Sequence, residues 1–388
     1  MLRKICVITS TRAEYGALKN LLREINDDSS LQLQLIVTGT HLSPEFGYTL
    51  KEIEADQFNV TKKVEILLSS DTAVGVSKSM GLAQISFAEV FDELQPDIVV
   101  VIGDRYELIP VVTCANIARI PVAHISGGEI TEGAIDDMFR HATTKLSQLH
   151  FTAINAYSER VIQMGEDPAQ VFTVGEPGLE NIHTQDLLNK PEVETLLGTP
   201  LQEKNLLITY HPETCESTQF TEQSFKELLN ALQDLADTLF IFTKANADTG
   251  GRTINHLIDQ FVTQHPTKAI AFNSLGKRGY LSTLQFVDGV VGNSSSGIVE
   301  VASFKKGTIN IGNRQKGRIR PPSVIDVKAN QADIAQAIAT LYSKEFQSLL
   351  QETDNPYRQE GTSAKIKEHL KQCDLNALKT KKFYDLGK

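Results

Sequence analysis

Cysteine is sparse and scattered. Cys6, Cys114, Cys215 and Cys373 form no CxxC pair, so neither a disulfide framework nor a cysteine zinc site is expected. Cys6 and Cys114 lie in apolar stretches and read as buried thiols. Basic residues are the minority, 38 against 48 acidic, giving a net charge of −10. That balance argues against nucleic acid or an anionic membrane as the main partner, while leaving room for a local basic pocket for a small phosphate ligand. No apolar run reaches the length of a membrane span. The start, MLRKICVITS, is basic with an apolar run too short for a signal peptide core, and no small-residue cleavage site follows. A reducing cytoplasm is the expected compartment. The first strand-to-helix turn is not GxGxxG, so the dinucleotide-cofactor signature is absent there. There is no low-complexity tract and no fine repeat.

The 388 residues are 41% hydrophobic and 22% charged, ordinary for a globular chain with real cores. At roughly 150 residues per domain the length allows two or three domains. Short β-branched runs alternate with helical patterns. Strands are expected at Lys4–Thr9, Leu31–Val37, Asp97–Ile102, Pro121–Ile125, Phe151–Ala153 and Val171–Val174. Helices are expected at Tyr15–Ile25, Val74–Leu94, Leu108–Ala118, Ile135–Leu149 and Ala156–Met164. Gly175–Pro200 holds three prolines and three glycines around a short polar helical stretch and reads as the linker. A second series follows, with strands at Asn205–Thr209, Leu239–Thr243, Ala269–Phe272, Asp288–Val291 and Thr308–Ile311. Its helices are Thr221–Thr238, Thr253–Gln264, Tyr280–Phe286 and Gly297–Phe304, before a largely helical, polar end from Gln331 onward. The fold class is α/β: two doubly wound, Rossmann-like domains facing a cleft, because right-handed crossovers place helices on both faces of parallel sheets.

In such sheets ligands bind at the carboxyl ends of the strands. Val99–His150 is the richest stretch by that measure. Gly103-Asp104-Arg105 ends one strand, and His124-Ile125-Ser126-Gly127-Gly128-Glu129 runs on from the next. Asp136 and Asp137 then open a helix, with Arg140 one turn on. Asp104 and Arg105 beside a buried run must be paired or used; the alternative is a mutual salt bridge. Asp136 and Arg140 also fit a plain helix-start charge and its i, i+4 partner. Thr9-Ser10-Thr11-Arg12 forms an anion-favouring turn in which Arg12 is a bidentate donor, and His41 follows the second strand. In the second series Tyr210-His211-Pro212-Glu213 and Asn246–Gly251 follow strands. Gly292-Asn293-Ser294-Ser295-Ser296-Gly297 offers backbone N–H groups and hydroxyls for a diphosphate, with Glu300 one turn on as a ribose acceptor. A serine cap with an acidic first turn reads equally well there. Arg314, Lys316 and Arg318 add cations after another strand.

Taken in order, TSTRAEYG, VTGTHL, VIGDRYE, HISGGEITEGAIDDMFRHATTKLS, YHPET, NADTG, GNSSSG and INIGNRQKGR resemble the hydrolysing UDP-N-acetylglucosamine 2-epimerase family of sialic- and legionaminic-acid biosynthesis. They cover about residues 3–330. The resemblance implies a glycosyltransferase-B-like fold: an N-terminal domain at 1–178, a nucleotide-binding domain at 179–364, and a C-terminal helix at 365–388 packing back on the first. It implies conversion of a UDP-sugar to UDP and a free N-acetylmannosamine-type sugar, by a homodimer or homotetramer without a redox cofactor or metal. Asp104, Glu129 and Asp136 become the catalytic acids, with Arg105 and Arg140 as cationic neighbours. Arg12, His41, His211, Asn246, Ser294, Ser295, Ser296, Glu300 and Arg314 become substrate and nucleotide contacts. Some members read HIEGGE where this chain has Ser126; Glu129 keeps the second acid.

The chemistry fits those residue types. A sugar C2–H is acidified only as the C1–O bond to UDP breaks, so the leaving diphosphate needs cations and the ring needs carboxylates. A 2-acetamidoglucal then adds water with protonation from the opposite face. A 2,4-diacetamido-2,4,6-trideoxyglucose nucleotide or a GDP-sugar is the alternative substrate. A non-hydrolysing epimerase, a glycosyltransferase of the same fold and a sugar-nucleotide binder are the other readings.

Overall fold

A computed structural model describes residues 2–387 except 69–71, 133, 185, 214–215 and 246–250. The chain divides into two compact units. The first comprises residues up to Glu129, Asp136–Asn181 and the chain from Tyr357 onward; the second comprises Ile130–Ile135 and Ile182–Pro356.

The first unit is a seven-stranded parallel sheet of β1 (Arg3–Thr9), β2 (Leu31–Thr38), β3 (Val60–Val64), β4 (Ile98–Ile102), β5 (Val122–Ile125), β6 (Leu149–Thr152) and β7 (Val171–Thr173). Its strand order is β3-β2-β1-β4-β5-β6-β7. The β4 sequence IVVVI is apolar at every position because both faces are covered. Its Ile98, Val100 and Ile102 enter one core with Ile5 and Val7. Val99 and Val101 enter the opposite core with Cys6 and Ile8. The order reverses between β1 and β4, which opens a crevice at the carboxyl ends of those strands.

The second unit repeats the plan with β8 (Lys204–Thr209), β9 (Thr238–Thr243), β10 (Ala269–Phe272), β11 (Gly289–Gly292), β12 (Gly307–Ile311) and β13 (Val324–Val327). The order is β10-β9-β8-β11-β12-β13, so its reversal lies between β8 and β11. Among the described residues no helix is long and apolar enough to cross a membrane.

Several expectations need correction. Gly175–Pro200 is no plain linker: Pro177, Gly178, Leu179 and Asn181 are buried, and Asn181 Nδ2 donates to Gly16 O at 2.6 Å. Val193 and Leu197 belong to a core of the second unit. The helix expected at Ile135–Leu149 runs only Asp136–Lys145, since Leu149 already starts β6. The helix expected to reach Thr238 stops at Gln233, and Thr238 starts β9. Gly297–Phe304 is two short turns, Ser296–Val299 and Val301–Phe304. β3 and β13 were not foreseen; VTKKV is a polar edge strand with a weak apolar signal, and VIDV is an edge strand of only four residues interrupted by a charge.

The end of the chain completes the first unit. Ile366 and Leu370 of the helix Thr362–Gln372 are fully buried with Ile5, Leu18 and Leu22. Arg3 Nη1 donates to Leu370 O at 2.7 Å, and Lys371 Nζ lies 2.7 Å from Asp28. Further on, Lys381 Nζ donates to Lys145 O at 2.7 Å and pairs with Glu166 at 2.7 Å. A cation there sits at the negative end of the helix Asp136–Lys145 and holds it in place. Leu370→Ala is therefore expected to destabilise the protein by about 2–5 kcal/mol in urea unfolding. Lys371→Ala, which removes a half-exposed ion pair, is expected to cost less than about 1 kcal/mol. Equal losses would show that this helix is not part of the core.

Candidate active site

At the first unit's reversal, β1 runs into the turn Ser10-Thr11-Arg12. Thr11 caps the helix Arg12–Asp27 in a capping box with Glu14. Glu14 Oε2 accepts from Ser10 N at 2.6 Å, Ser10 Oγ at 2.9 Å and Thr11 N at 3.2 Å. Burial, together with the charge of Glu107, pushes its acid up to about 7. Arg12 stands at the first helical position, partly exposed, and makes no hydrogen bond or ion pair among the described residues. His41 is placed differently from the expectation. It is fully buried, with Nε2 3.0 Å from Thr9 Oγ1 and Nδ1 2.8 Å from Thr49 Oγ1. Burial holds it neutral, with its pKa down at about 4. Such a histidine braces the loop after β2.

Beyond β4, Gly103 takes φ +84° and turns the chain so that Asp104 and Arg105 stand at the strand end. They do not pair with each other. Arg105 Nε lies 3.3 Å from Glu107, which is itself buried. Asp104 instead receives Arg140 Nη2. Arg140 is 2% exposed, and its Nη1 also reaches Glu129 O at 3.2 Å and Asp137 Oδ1 at 3.5 Å. One buried guanidinium thus ties the ends of β4 and β5 to the helix Asp136–Lys145. Asp136 and Arg105 are half-buried at its margin, and the Glu129 side chain is buried. Beneath them His124 Nε2 is 2.7 Å from Gly103 O and Nδ1 is 3.1 Å from Thr144 Oγ1. The carbonyl demands a donor, so neutral His124 carries its proton on Nε2.

The second unit builds its reversal around Asn293, which is fully buried after β11. Its Oδ1 accepts from His211 N at 2.7 Å and its Nδ2 donates to His211 O at 2.8 Å. Its carbonyl accepts from Arg314 Nη1 at 3.2 Å and Gln315 Nε2 at 3.0 Å. So one asparagine gathers the loops after β8, β11 and β12. Gly292 (φ +145°) permits the close approach: a Cβ there would lie 2.0 Å from Thr209 O. Ser294, Ser295 and Ser296 follow, half-buried. Ser295 makes no side-chain cap bond to the turn Ser296–Val299, whereas Ser294 Oγ accepts from Ser296 N at 3.4 Å, so the serine-cap reading holds in part. Glu300 is paired with Lys277 and accepts from Ser296 Oγ, and Tyr280 OH is 2.7 Å from the same hydroxyl. Asn246 lies outside the described residues.

Sequence reasoning missed Lys277, Glu14 and the tying role of Asn293. Lys277 opens a helix with no motif around it, and no spacing links it to Glu300. Glu213 was seen only as part of its motif; it is buried, its Oε1 accepts from Asn313 N at 3.2 Å, and burial raises its acid. No group of three or more metal-ligating side chains occurs among the described residues. The first sheet offers carboxylates beside guanidinium groups; the second sheet offers hydroxyls, a histidine loop and an arginine.

Burial holds His124 neutral, with its pKa down at about 3 against an ordinary 6.5. Between those values the unfolded chain binds the extra proton. Its contribution to stability is therefore complete above 6.5 and falls as acid is added toward 3. His41 acts in the same direction; Glu14 opposes both between 4.5 and about 7, where the folded state keeps the proton. The stability advantage of the wild type over His124→Gln in urea should shrink from about pH 7.5 to about pH 4.5. A gap that stays constant would mean that His124 is charged in the fold.

The profile of the UDP-N-acetylglucosamine 2-epimerase family matches residues 23–371. The GDP/UDP-N,N'-diacetylbacillosamine 2-epimerase (hydrolyzing) of Campylobacter jejuni is 44% identical over 385 residues, 99% of each chain. The UDP-N,N'-diacetylbacillosamine 2-epimerase (hydrolyzing) of Legionella pneumophila is 37% identical over 84% of this chain and 85% of its own. The crystal structure of UDP-GlcNAc 2-epimerase from Neisseria meningitidis bound to UDP-GlcNAc superposes with a TM-score of 0.82 at 16% identity, over 95% of this chain and all of that one. Its likeness carries the glycosyltransferase-B-like fold. With the family pattern covering most of its length, the chain belongs to the UDP-N-acetylglucosamine 2-epimerase family.

Proposed function

We propose that the protein is a hydrolysing 2-epimerase that converts a UDP-linked 2-acetamido sugar to UDP and the free manno-configured sugar. The observation that carries this is the buried Arg140, which holds Asp104 and Asp137 at the carboxyl ends of the first sheet, in a chain so like a hydrolysing enzyme over its whole length. The Campylobacter and Legionella names favour a 2,4-diacetamido-2,4,6-trideoxy sugar over UDP-N-acetylglucosamine itself.

In this reading Arg12, Ser294, Ser295, Ser296 and Arg314 take up the negative charge that grows on the departing diphosphate. Asp104, Glu129 and Asp136 stabilise the positive ring, with Arg105 and Arg140 orienting them. His211, Asn246 and Glu300 are the nucleoside contacts, Glu300 exchanging Ser296 and Lys277 for ribose hydroxyls. The C2 proton leaves to a carboxylate as the C1–O bond breaks, and water adds to the resulting 2-acetamidoglucal. No redox step is involved. A homo-oligomer working in the cytoplasm completes the proposal; exposed Val74, Ile85 and Ile117 are candidate apolar contacts for a second copy.

The test is proton NMR in deuterated water with the diacetamido sugar nucleotide and with UDP-N-acetylglucosamine. UDP release with a free manno sugar deuterated at C2 is expected, faster for the diacetamido substrate. Epimerised sugar still bound to UDP would establish a non-hydrolysing enzyme instead. Inertness towards both sugars would sink the proposal. Asp104→Asn and Asp136→Asn should each lower turnover at least about 100-fold while UDP affinity measured by calorimetry stays near wild type. Near-normal turnover in either variant would remove that residue from the mechanism.

A further inference from the structure

The end of β5 holds a feature that the acids named so far do not explain. Ser126 takes φ +63°, a conformation that suits glycine and seldom a serine. Glycines follow at 127 and 128, yet position 126 keeps a side chain. It is 9% exposed, and its N–H donates to Phe151 O at 2.8 Å. The turn aims Oγ at the loop after β7, where it donates to Glu176 Oε2 at 3.1 Å. The strained backbone is matched by one specific contact, a hydroxyl set on a carboxylate.

Glu176 is held from both sides. Gly175 before it has φ +92°, and a Cβ there would come within 2.8 Å of Gln359 Cβ and Thr362 Oγ1. Glu176 N donates to Tyr357 O at 2.9 Å, and Glu176 O accepts from Leu179 N at 3.1 Å. Its half-buried side chain therefore starts from a fixed backbone and ends at a fixed hydroxyl. It stands at the carboxyl ends of the strands, the same edge of the sheet that carries Asp104 and Glu129.

We propose that Glu176 is an acid–base residue of the epimerase reaction and that Ser126 is its positioning residue. The inference rests on the function proposed above. Inversion at C2 removes a proton from one face and returns one to the other, so two groups must exchange protons. In elimination the C2–H proton passes to a carboxylate oxygen, the C1–C2 double bond forms, and the C1–O electron pair leaves with UDP. In hydration a water oxygen bonds to C1, that water yields a proton to a carboxylate, and C2 gains a proton from an acid on the opposite face. Asp104 is held by the guanidinium of the buried Arg140. That suits it to stabilise charge at C1. A serine hydroxyl suits a carboxylate that cycles, because by rotating it donates to the anion and accepts from the acid. A second carboxylate at 126 would instead repel the first.

Turnover, its pH profile, C2 deuterium incorporation and UDP affinity of the full-length protein test this. Glu176→Gln is expected to lower kcat at least about 100-fold and to remove one limb of the pH profile, with UDP affinity within about threefold. Ser126→Ala should shift that limb with a smaller loss of kcat. Ser126→Glu alone should lower turnover, and Ser126→Glu with Glu176→Ser should recover at least about tenfold over Glu176→Ser, since the carboxylate is moved rather than lost. An active wild type with an indifferent Glu176→Gln would overturn this assignment alone. So would a Glu176→Gln variant that loses UDP affinity in step with kcat, or a Ser126→Glu variant more active than wild type. A wild type inert towards both sugars would overturn the functional reading and this one with it.

Discussion

The first unit's chemistry depends on one buried cation. Arg140 is 2% exposed, and a guanidinium cannot lose its charge to escape burial. It must be met by anions and carbonyls, and it is met by Asp104, Asp137 and Glu129 O. Three segments are thereby held to one another at the ends of β4 and β5 and at the start of a helix, Asp104 coming from 36 residues away. The same contact that satisfies the arginine fixes Asp104 at the rim of the sheet. Stability and chemical readiness therefore have a common cause here.

The second unit solves the matching problem with a neutral group. Asn293 offers a carbonyl and an amide from one fully buried side chain, and both are used on the His211 backbone. Its own carbonyl receives Arg314 and Gln315. An asparagine can hold three loops without placing a charge in the core. Asn293 sits where strand order reverses, the place where an α/β sheet exposes backbone and loop side chains together, while Arg140 works one strand along, at the ends of β4 and β5.

Histidines show how burial sorts roles within one residue type. His41 and His124 both lie at strand ends, where a ligand contact is the natural first reading. Both are fully buried, neutral and hydrogen-bonded at each ring nitrogen. They set loop shape. Family membership, the glycosyltransferase-B-like fold and the carboxylate–guanidinium cluster together support hydrolytic epimerisation, and Glu176 with Ser126 extends that cluster to the end of β7.

Much was legible before any coordinates. Central strands such as IVVVI at β4 declare themselves because burial on both faces demands unbroken apolar runs, and the alternation with helices then dictates parallel sheets. Motif order placed the family, the acids at 104 and 129 were visible as polar groups following core strands, and Asp136 as the charge that opens a helix. Edge strands β3 and β13 were not, since a strand with one neighbour tolerates VTKKV. The passage between the units, at Asn181 and Ile182, does fall within Gly175–Pro200, but the burial of that segment was not legible, because proline and glycine mark turns whether or not those turns pack into a core. Pairings were out of reach altogether. That Arg140 turns to Asp104, Lys277 to Glu300 and Ser126 to Glu176 depends on separations of 36, 23 and 50 residues closed by folding. Local sequence determines what a segment prefers to be and where its charges stand along the chain. Which charge meets which is decided only when the sheets bring strand ends side by side, because hydrogen bonds act over a few ångströms of space and not along the backbone.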